Sequence, residues 1–118
     1  MKSAADLVAE AKQRVREVSP EEVRALRATG HDLLLLDVRE PAEVAMGRVP
    51  GALVIARGVL ESAVEARVPR GRAVVVYCAS GNRSALAADT LAQMGYADVR
   101  SMAGGIRGWA DAGGEIEA

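Results

Sequence analysis

Short runs of consecutive apolar residues alternate with amphipathic stretches along most of this chain, and this alternation limits the folds open to it. The apolar runs are residues 33–36, 53–55 and 73–77, and a last strand is predicted over 98–102. Strands that are apolar along their whole length are buried on both faces, which is typical of parallel sheets covered by helices. The pattern therefore predicts an α/β fold with a mostly parallel sheet and helices on both of its faces.

Helix signals fill the intervals between the apolar runs. Residues 3–17 carry apolar side chains at spacings of three and four, which predicts an amphipathic N-terminal helix. Ser19 and Glu22 have the spacing of a capping box, so a second helix should begin there and end at Gly30. A further helix is predicted over about 83–94, directly after the third apolar run.

Length and composition indicate one compact domain, at residues 18–118, preceded by the helical extension 1–17. The chain has 118 residues, half of them apolar, which is enough for a real core. Its net charge is −1 and its aromatic residues are one Trp and two Tyr, which argues against nucleic-acid binding. No segment is long enough to span a membrane or resembles a secretory signal, so we expect a cytoplasmic protein without a membrane partner.

The only cysteine, Cys78, lies where the third apolar run ends and a helix is about to begin. The unpaired N–H groups of a tight loop and of a first helical turn favour negative charge at such a position. A lone cysteine at a strand end is more often a buried core residue than a nucleophile. Its neighbours favour the nucleophile, because Gly81 can adopt a positive φ, Arg83 is cationic and Ser84 lies where the helix begins.

Cys78 has no evident side-chain base. The sole histidine, His31, lies in a turn far along the chain, and we interpret it as an exposed turn residue. One cysteine allows no internal disulfide, multi-cysteine zinc site or resolving partner, and we expect no metal and no cofactor. Because an amide loop can hold a thiolate and equally a persulfide anion, sulfur transfer is the chemistry that fits these residues.

Ordered motifs from Val18 to Gly114 resemble the rhodanese family of single-domain sulfurtransferases. They are Asp37-Val38-Arg39-Glu40, Glu43, Gly47, Pro50-Gly51-Ala52, the run from Val76 to Ser84, Gly95, Gly104-Gly105 and Trp109. The resemblance implies a rhodanese-like domain at 18–118 with a five-stranded sheet, and an extra N-terminal helix at 1–17. Each motif is weak alone, but their order and spacing together are specific.

The resemblance also implies a site. Cys78 would be the catalytic residue that carries the persulfide. The substrate-binding residues would be Ala79, Ser80, Gly81, Asn82, Arg83 and Ser84. The substrates would be a small-molecule sulfur donor, thiosulfate or another persulfide-type compound, and an acceptor that is cyanide or a thiol. A protein sulfur acceptor is a further option.

Several matched residues have simpler structural interpretations. Asp37, Arg39 and Glu43 are predicted to form an ion-pair cluster beneath the site, Trp109 to lie in the core, and Gly104-Gly105 to make a tight turn from strand to helix. Two features depart from the family pattern. Arg48 stands where the family usually has histidine, and Ala79 and Ser80 are neutral where thiosulfate-preferring members often carry basic residues, which weakens the case for a dianionic donor.

Two other functions compete with sulfur transfer. The first is a cysteine phosphatase or arsenate reductase. In the motif of such enzymes five residues separate the cysteine from an arginine, whereas four residues separate Cys78 from Arg83 here. A ring of amides sized for one sulfur is a poor cradle for phosphate. The second alternative, a persulfide carrier or binding module that serves a protein partner, stays open, since the N-terminal helix could be a docking element.

Overall fold

Five parallel strands form a single sheet in the computed structural model, which describes residues 1–118. The strands are β1 (Arg16–Val18), β2 (Leu34–Asp37), β3 (Leu53–Val54), β4 (Val74–Tyr77) and β5 (Val99–Met102). Their order across the sheet is β1-β5-β4-β2-β3. The predicted parallel, five-stranded α/β fold is confirmed.

Six α-helices and one short 3-10 helix connect the strands. The helices are α1 (Ala4–Arg14), α2 (Pro20–Ala28), α3 (Pro41–Val44), α4 (Leu60–Arg67), α5 (Asn82–Gln93) and α6 (Gly105–Asp111), and the 3-10 helix covers Arg57–Val59. The predicted capping box is present at the start of α2, where the Ser19 hydroxyl accepts from the Glu22 amide and the Glu22 carboxylate accepts from the Ser19 amide.

Side chains of successive strand residues fill two cores, one on each face of the sheet. On β4, Val74 and Val76 belong to one core, whereas Val75 and Tyr77 belong to the other. Helices α4 and α5 close the first core with residues such as Leu91, and α2 and α6 close the second with Val23 and Trp109. The continuous apolar runs are explained by this burial on both faces.

The fifth strand differs from the sequence prediction. Residues 3–17 were predicted to be helical, but α1 ends at Arg14 and residues 16–18 pair in parallel with β5, Val18 opposite Met102. Only Val18 of this three-residue strand is buried. So short an edge strand has no recognisable alternation, and its pairing partner lies at the other end of the chain. Helix α1 packs against α5, where Arg14 donates two hydrogen bonds to Asp89.

The strand order opens a crevice at the carboxyl ends of β2 and β4. After β2 the chain continues to β3 on one side, and after β4 it continues to β5 on the other. Loops that leave neighbouring parallel strands in opposite directions separate at this point, and ligands of open α/β sheets bind there. Cys78 directly follows β4 and Arg39 follows β2, so the fold brings both segments to this edge. No helix of the protein has the length and apolar character needed to cross a membrane.

Candidate active site

Cys78 begins a four-residue loop, residues 78–81, between the central strand β4 and helix α5. Gly81 is the N-cap residue of α5 and has a φ of +107°, a left-handed conformation that glycine adopts without steric cost. A β-carbon at Gly81 would lie 3.3 Å from the Gly104 amide nitrogen. The prediction of a positive φ at Gly81 is therefore confirmed. Helix α5 begins at Asn82, one residue before the predicted start.

The sulfur of Cys78 is surrounded by hydrogen-bond donors. The amide nitrogen of Gly81 lies 3.1 Å from Sγ and that of Ser84 3.4 Å. The Ser84 hydroxyl oxygen lies 3.6 Å from Sγ, where it accepts from the neutral thiol and can donate to the thiolate. Burial of the thiol raises its pKa, but hydrogen bonds from the Ser84 side chain and from the amides of Ser84, Gly81 and Ser80 outweigh that effect, so the pKa of Cys78 is lowered. These hydrogen bonds therefore stabilise the thiolate without any imidazole.

Helix α6 holds the outer side of the loop. The Ile106 amide donates to the Cys78 carbonyl at 2.9 Å, and the Arg107 amide donates to the Ala79 carbonyl at 3.2 Å. Two carbonyl groups of the loop are thus bound to α6, away from the sulfur, while the amides of Gly81 and Ser84 face it. The predicted tight turn at Gly104-Gly105 is confirmed and allows this approach, because a β-carbon at Gly105 would lie 2.5 Å from the Cys78 and Ala79 carbonyl oxygens.

Arg83 is bound to a carboxylate rather than directed at the sulfur. Its guanidinium contacts both carboxylate oxygens of Glu43 at 2.6 and 2.8 Å. Hydrogen bonding to Arg83 lowers the pKa of Glu43 to about 2, and the same pairing raises the pKa of Arg83. The nearby Cys78 thiolate also favours the charged form of Arg83. Arg83 can therefore influence the thiolate only through space, and Glu43 offsets part of its charge.

The predicted ion-pair cluster lies beneath the site at the end of β2. Arg39 donates to both carboxylate oxygens of Asp37, at 2.7 and 3.0 Å, and both residues are buried. The same guanidinium donates to the carbonyls of Gly47, at 2.8 Å, and Glu43, at 3.3 Å. Arg39 thereby ties α3 and the segment after it to the sheet. The ion pair is as predicted, but the Glu43 carboxylate belongs to Arg83.

The six loop residues assigned to substrate binding differ in accessibility. Gly81 and Ser84 are buried beneath the sulfur, Ala79 and Arg83 are partly buried, and Ser80 and Asn82 are exposed at the rim. Cys78 itself is 1% exposed. The loop therefore covers the sulfur almost completely. Whether these residues bind substrate stays a prediction.

Two contacts at the site were not found in the sequence. The buried hydroxyl of Ser101, on β5, lies 2.8 Å from the Ser84 hydroxyl, and the α6 amides bind the loop carbonyls. Gly104-Gly105 was the sequence signal for α6, but a serine in a strand gave none.

The sole histidine does not contact Cys78 or its loop. His31 is exposed, contacts the Thr29 hydroxyl at 2.9 Å, and lines a cavity of about 260 Å³ at the amino ends of β4 and β5, the edge opposite Cys78. Its interpretation as an exposed turn residue is confirmed. No group of three or more histidine, cysteine, aspartate or glutamate side chains is arranged to hold a metal ion.

The comparisons with known proteins agree with the fold. The family model described as Rhodanese-like domain matches residues 19–112. A sulfurtransferase from Allochromatium vinosum is 39% identical over 88% of this chain and 96% of its own length. The human thiosulfate:glutathione sulfurtransferase is 34% identical over 78% of this chain and 90% of its own.

A solved structure extends the similarity to nearly the whole chain. It is a protein of unknown function from Rhodopseudomonas palustris, described as a possible tyrosine phosphatase, with a TM-score of 0.90 and 33% identity. The match covers 99% of this chain and 96% of the other. Since the family model and the sulfurtransferases cover most of the sequence and the predicted fold is present, this chain belongs to the rhodanese-like family of single-domain sulfurtransferases.

Proposed function

We propose that Cys78 transfers sulfane sulfur through a persulfide. The Cys78 thiolate attacks the outer sulfur of thiosulfate or of another persulfide-type donor. A bond forms between Sγ and that sulfur while the donor's sulfur–sulfur bond breaks, and its electron pair leaves with sulfite or with the donor's thiolate. Cyanide or an acceptor thiolate then attacks the outer sulfur, takes it as thiocyanate or as a new persulfide, and regenerates the Cys78 thiolate.

The observation that carries this proposal is the set of donors around Sγ. Hydrogen bonds from Gly81, Ser84 and the Ser84 hydroxyl lower the thiol pKa, and a thiolate is the nucleophile that the first step needs. A persulfide is also an anion, so inward-facing amides suit both states of the cycle. The relatives named sulfurtransferases support the same chemistry.

The surroundings of the loop favour a donor with little charge. Ala79 and Ser80 are neutral, and the Arg83 guanidinium is paired with Glu43, so no uncompensated cation lies in the loop to attract a dianion. We therefore expect a persulfide donor, whose reacting sulfur group carries a single negative charge, to load Cys78 at lower concentration than the dianion thiosulfate does. The human relative's name includes thiosulfate and glutathione, which supports testing both thiosulfate and glutathione persulfide.

Intact-mass measurement tests the proposal directly. Wild-type protein mixed with either donor should gain the mass of one sulfur atom, and cyanide should remove it. Cys78→Ala should gain none under the same conditions, whereas Ser62→Ala, which changes an exposed serine of α4, should behave as wild type. If the wild type gains no sulfur from either donor, sulfur transfer is refuted.

The two alternatives give different results in the same experiments. A persulfide carrier would load, yet keep its sulfur in the presence of cyanide or a small thiol until a protein acceptor is added. A phosphatase would hydrolyse p-nitrophenyl phosphate. We expect no hydrolysis, because Arg83, the residue that would clamp an oxyanion, is held by Glu43.

We assign this activity to the domain at residues 18–118, with residues 1–17 as an extension. The match of the family model to residues 19–112 supports this division. Intact-mass loading of a chain that begins at residue 16, which removes α1 but keeps β1, would test it.

A further inference from the structure

Two buried serines continue the hydrogen-bond chain away from the Cys78 sulfur. The Ser84 hydroxyl oxygen lies 3.6 Å from Sγ and 2.8 Å from the Ser101 hydroxyl oxygen. Both serines are completely buried, and the Ser101 hydroxyl has no other hydrogen-bond partner in the protein. The three atoms therefore form one hydrogen-bond chain, with Sγ at one end and the Ser101 oxygen at the other.

The number of hydrogen atoms in this hydrogen-bond chain depends on the charge of the sulfur. A neutral thiol gives three hydrogens, one on the sulfur and one on each hydroxyl, but only two links are available to use them. The thiolate leaves two hydrogens for two links: Ser101 donates to Ser84, and Ser84 donates to the sulfur. A buried donor without an acceptor is unfavourable. Every hydroxyl hydrogen of the hydrogen-bond chain therefore has an acceptor only when the sulfur is an anion.

We infer that Ser101 is a positioning residue, which directs the Ser84 hydroxyl to donate to the Cys78 sulfur and so favours the anionic state. The inference rests on the proposed function, in which Cys78 reacts as a thiolate and carries a persulfide anion. Without Ser101 as a donor, the Ser84 oxygen loses a partner and its hydroxyl hydrogen is no longer polarised toward the sulfur. Ser101 acts only through Ser84, because its hydroxyl makes no other hydrogen bond.

Alkylation of Cys78 as a function of pH measures this effect and requires no sulfur donor. Ser84→Ala removes a hydrogen bond to a charged group and should raise the thiol pKa by about one unit or more. Ser101→Ala removes a neutral hydrogen bond one step further away and should raise the thiol pKa by about half a unit. Ser62→Ala, whose hydroxyl donates to the Val59 carbonyl on the surface, should leave the thiol pKa unchanged.

The double variant separates positioning from a general loss of packing. If Ser101 acts through Ser84, adding Ser101→Ala to Ser84→Ala should not raise the pKa further. An equal shift in both backgrounds, or no shift in the wild-type background, overturns the inference. Should Ser101→Ala unfold, Ser101→Thr retains the hydroxyl. It should keep the wild-type pKa even if its extra methyl group lowers stability, and a raised pKa in folded Ser101→Thr also overturns the inference.

Failure of this inference and failure of the proposed function give different results. A wild-type chain that loads sulfur while Ser101→Ala keeps a normal thiol pKa would refute only the role of Ser101. A chain that shows the predicted pKa shifts but never loads sulfur would refute sulfur transfer and leave the serine pair in place.

Discussion

Replacing Gly105 by alanine tests how strongly helix α6 holds the active-site loop. Gly105 has a φ of +57°, and a β-carbon there would lie 2.5 Å from the carbonyl oxygens of both Cys78 and Ala79. The positive φ costs about 1–2 kcal/mol, the penalty of a left-handed conformation for a residue with a β-carbon. The clash of the β-carbon with the carbonyl oxygens forces backbone groups apart and costs about 1–3 kcal/mol more, as overpacking does in a core.

Two other glycines separate these effects. Gly30 also has a positive φ, +79°, but a β-carbon there meets nothing within 4 Å, so Gly30→Ala should cost only about 1–2 kcal/mol. Gly71 has neither a positive φ nor a close neighbour, and Gly71→Ala should be neutral or stabilising by about 0.5 kcal/mol. Gly105→Ala should lose about 2–5 kcal/mol, a large fraction of the 5–15 kcal/mol typical of a domain.

Urea unfolding measures these free energies, and the pH dependence of Cys78 alkylation measures the state of the loop. In Gly105→Ala the carbonyls of Cys78 and Ala79 must move from α6, so the amides facing the sulfur are displaced and the thiol pKa should rise. In Gly30→Ala and Gly71→Ala the thiol pKa should stay at the wild-type value. The reasoning is refuted if Gly105→Ala is as stable as Gly30→Ala and its thiol titrates normally.

Three further predictions concern the charged groups around the site. Arg83→Ala should raise the thiol pKa of Cys78 by less than about one unit. Glu43→Gln should lower this pKa, because the substitution leaves the Arg83 charge uncompensated. If the pH dependence of alkylation is unchanged in both variants, the ion pair plays no part in activating the thiol. Asp37→Ala should cost about 3–5 kcal/mol in urea unfolding, since it strands the buried Arg39 cation, whereas Asp32→Ala breaks an exposed pair and should cost less than about 1 kcal/mol; equal losses would contradict this account. The folded-state pKa of Glu43, about 2, lies below its unfolded value, so its contribution is complete above about pH 5 and is lost as the pH falls towards 2. The stability difference between wild type and Glu43→Gln, followed by unfolding at each pH, should therefore shrink over that range and stay constant above it.

The features that could be predicted from the sequence are those encoded by neighbouring residues. The apolar runs identified β2, β3 and β4 because buried parallel strands need no partner to be recognised, and Ser19 with Glu22 identified the start of α2. Cys78 and Gly81 were predicted together because a strand end, a glycine and a helix start follow one another within a few residues.

The features that escaped prediction depend on residues distant in the sequence. Strand β1 exists only because Val18 finds β5, and nothing within residues 16–18 distinguishes it from the end of a helix. Arg83 follows Cys78 closely and was expected to act on it, but its strongest partner is Glu43, brought there by the β2–β4 crevice. Ser101 faces Ser84 because β5 lies beside β4, a register that no local pattern specifies.

The grip of α6 on the loop has a consequence for the order in which the protein matures. A ribosome that has translated residues up to the end of α5 has already made Cys78 and its loop, but neither Ser101 nor the amides of Ile106 and Arg107 that bind the loop from outside. Until β5 and α6 emerge, the sulfhydryl should behave like that of free cysteine. Reactivity then begins only after both elements have folded onto the loop, which protects the nascent chain from premature modification.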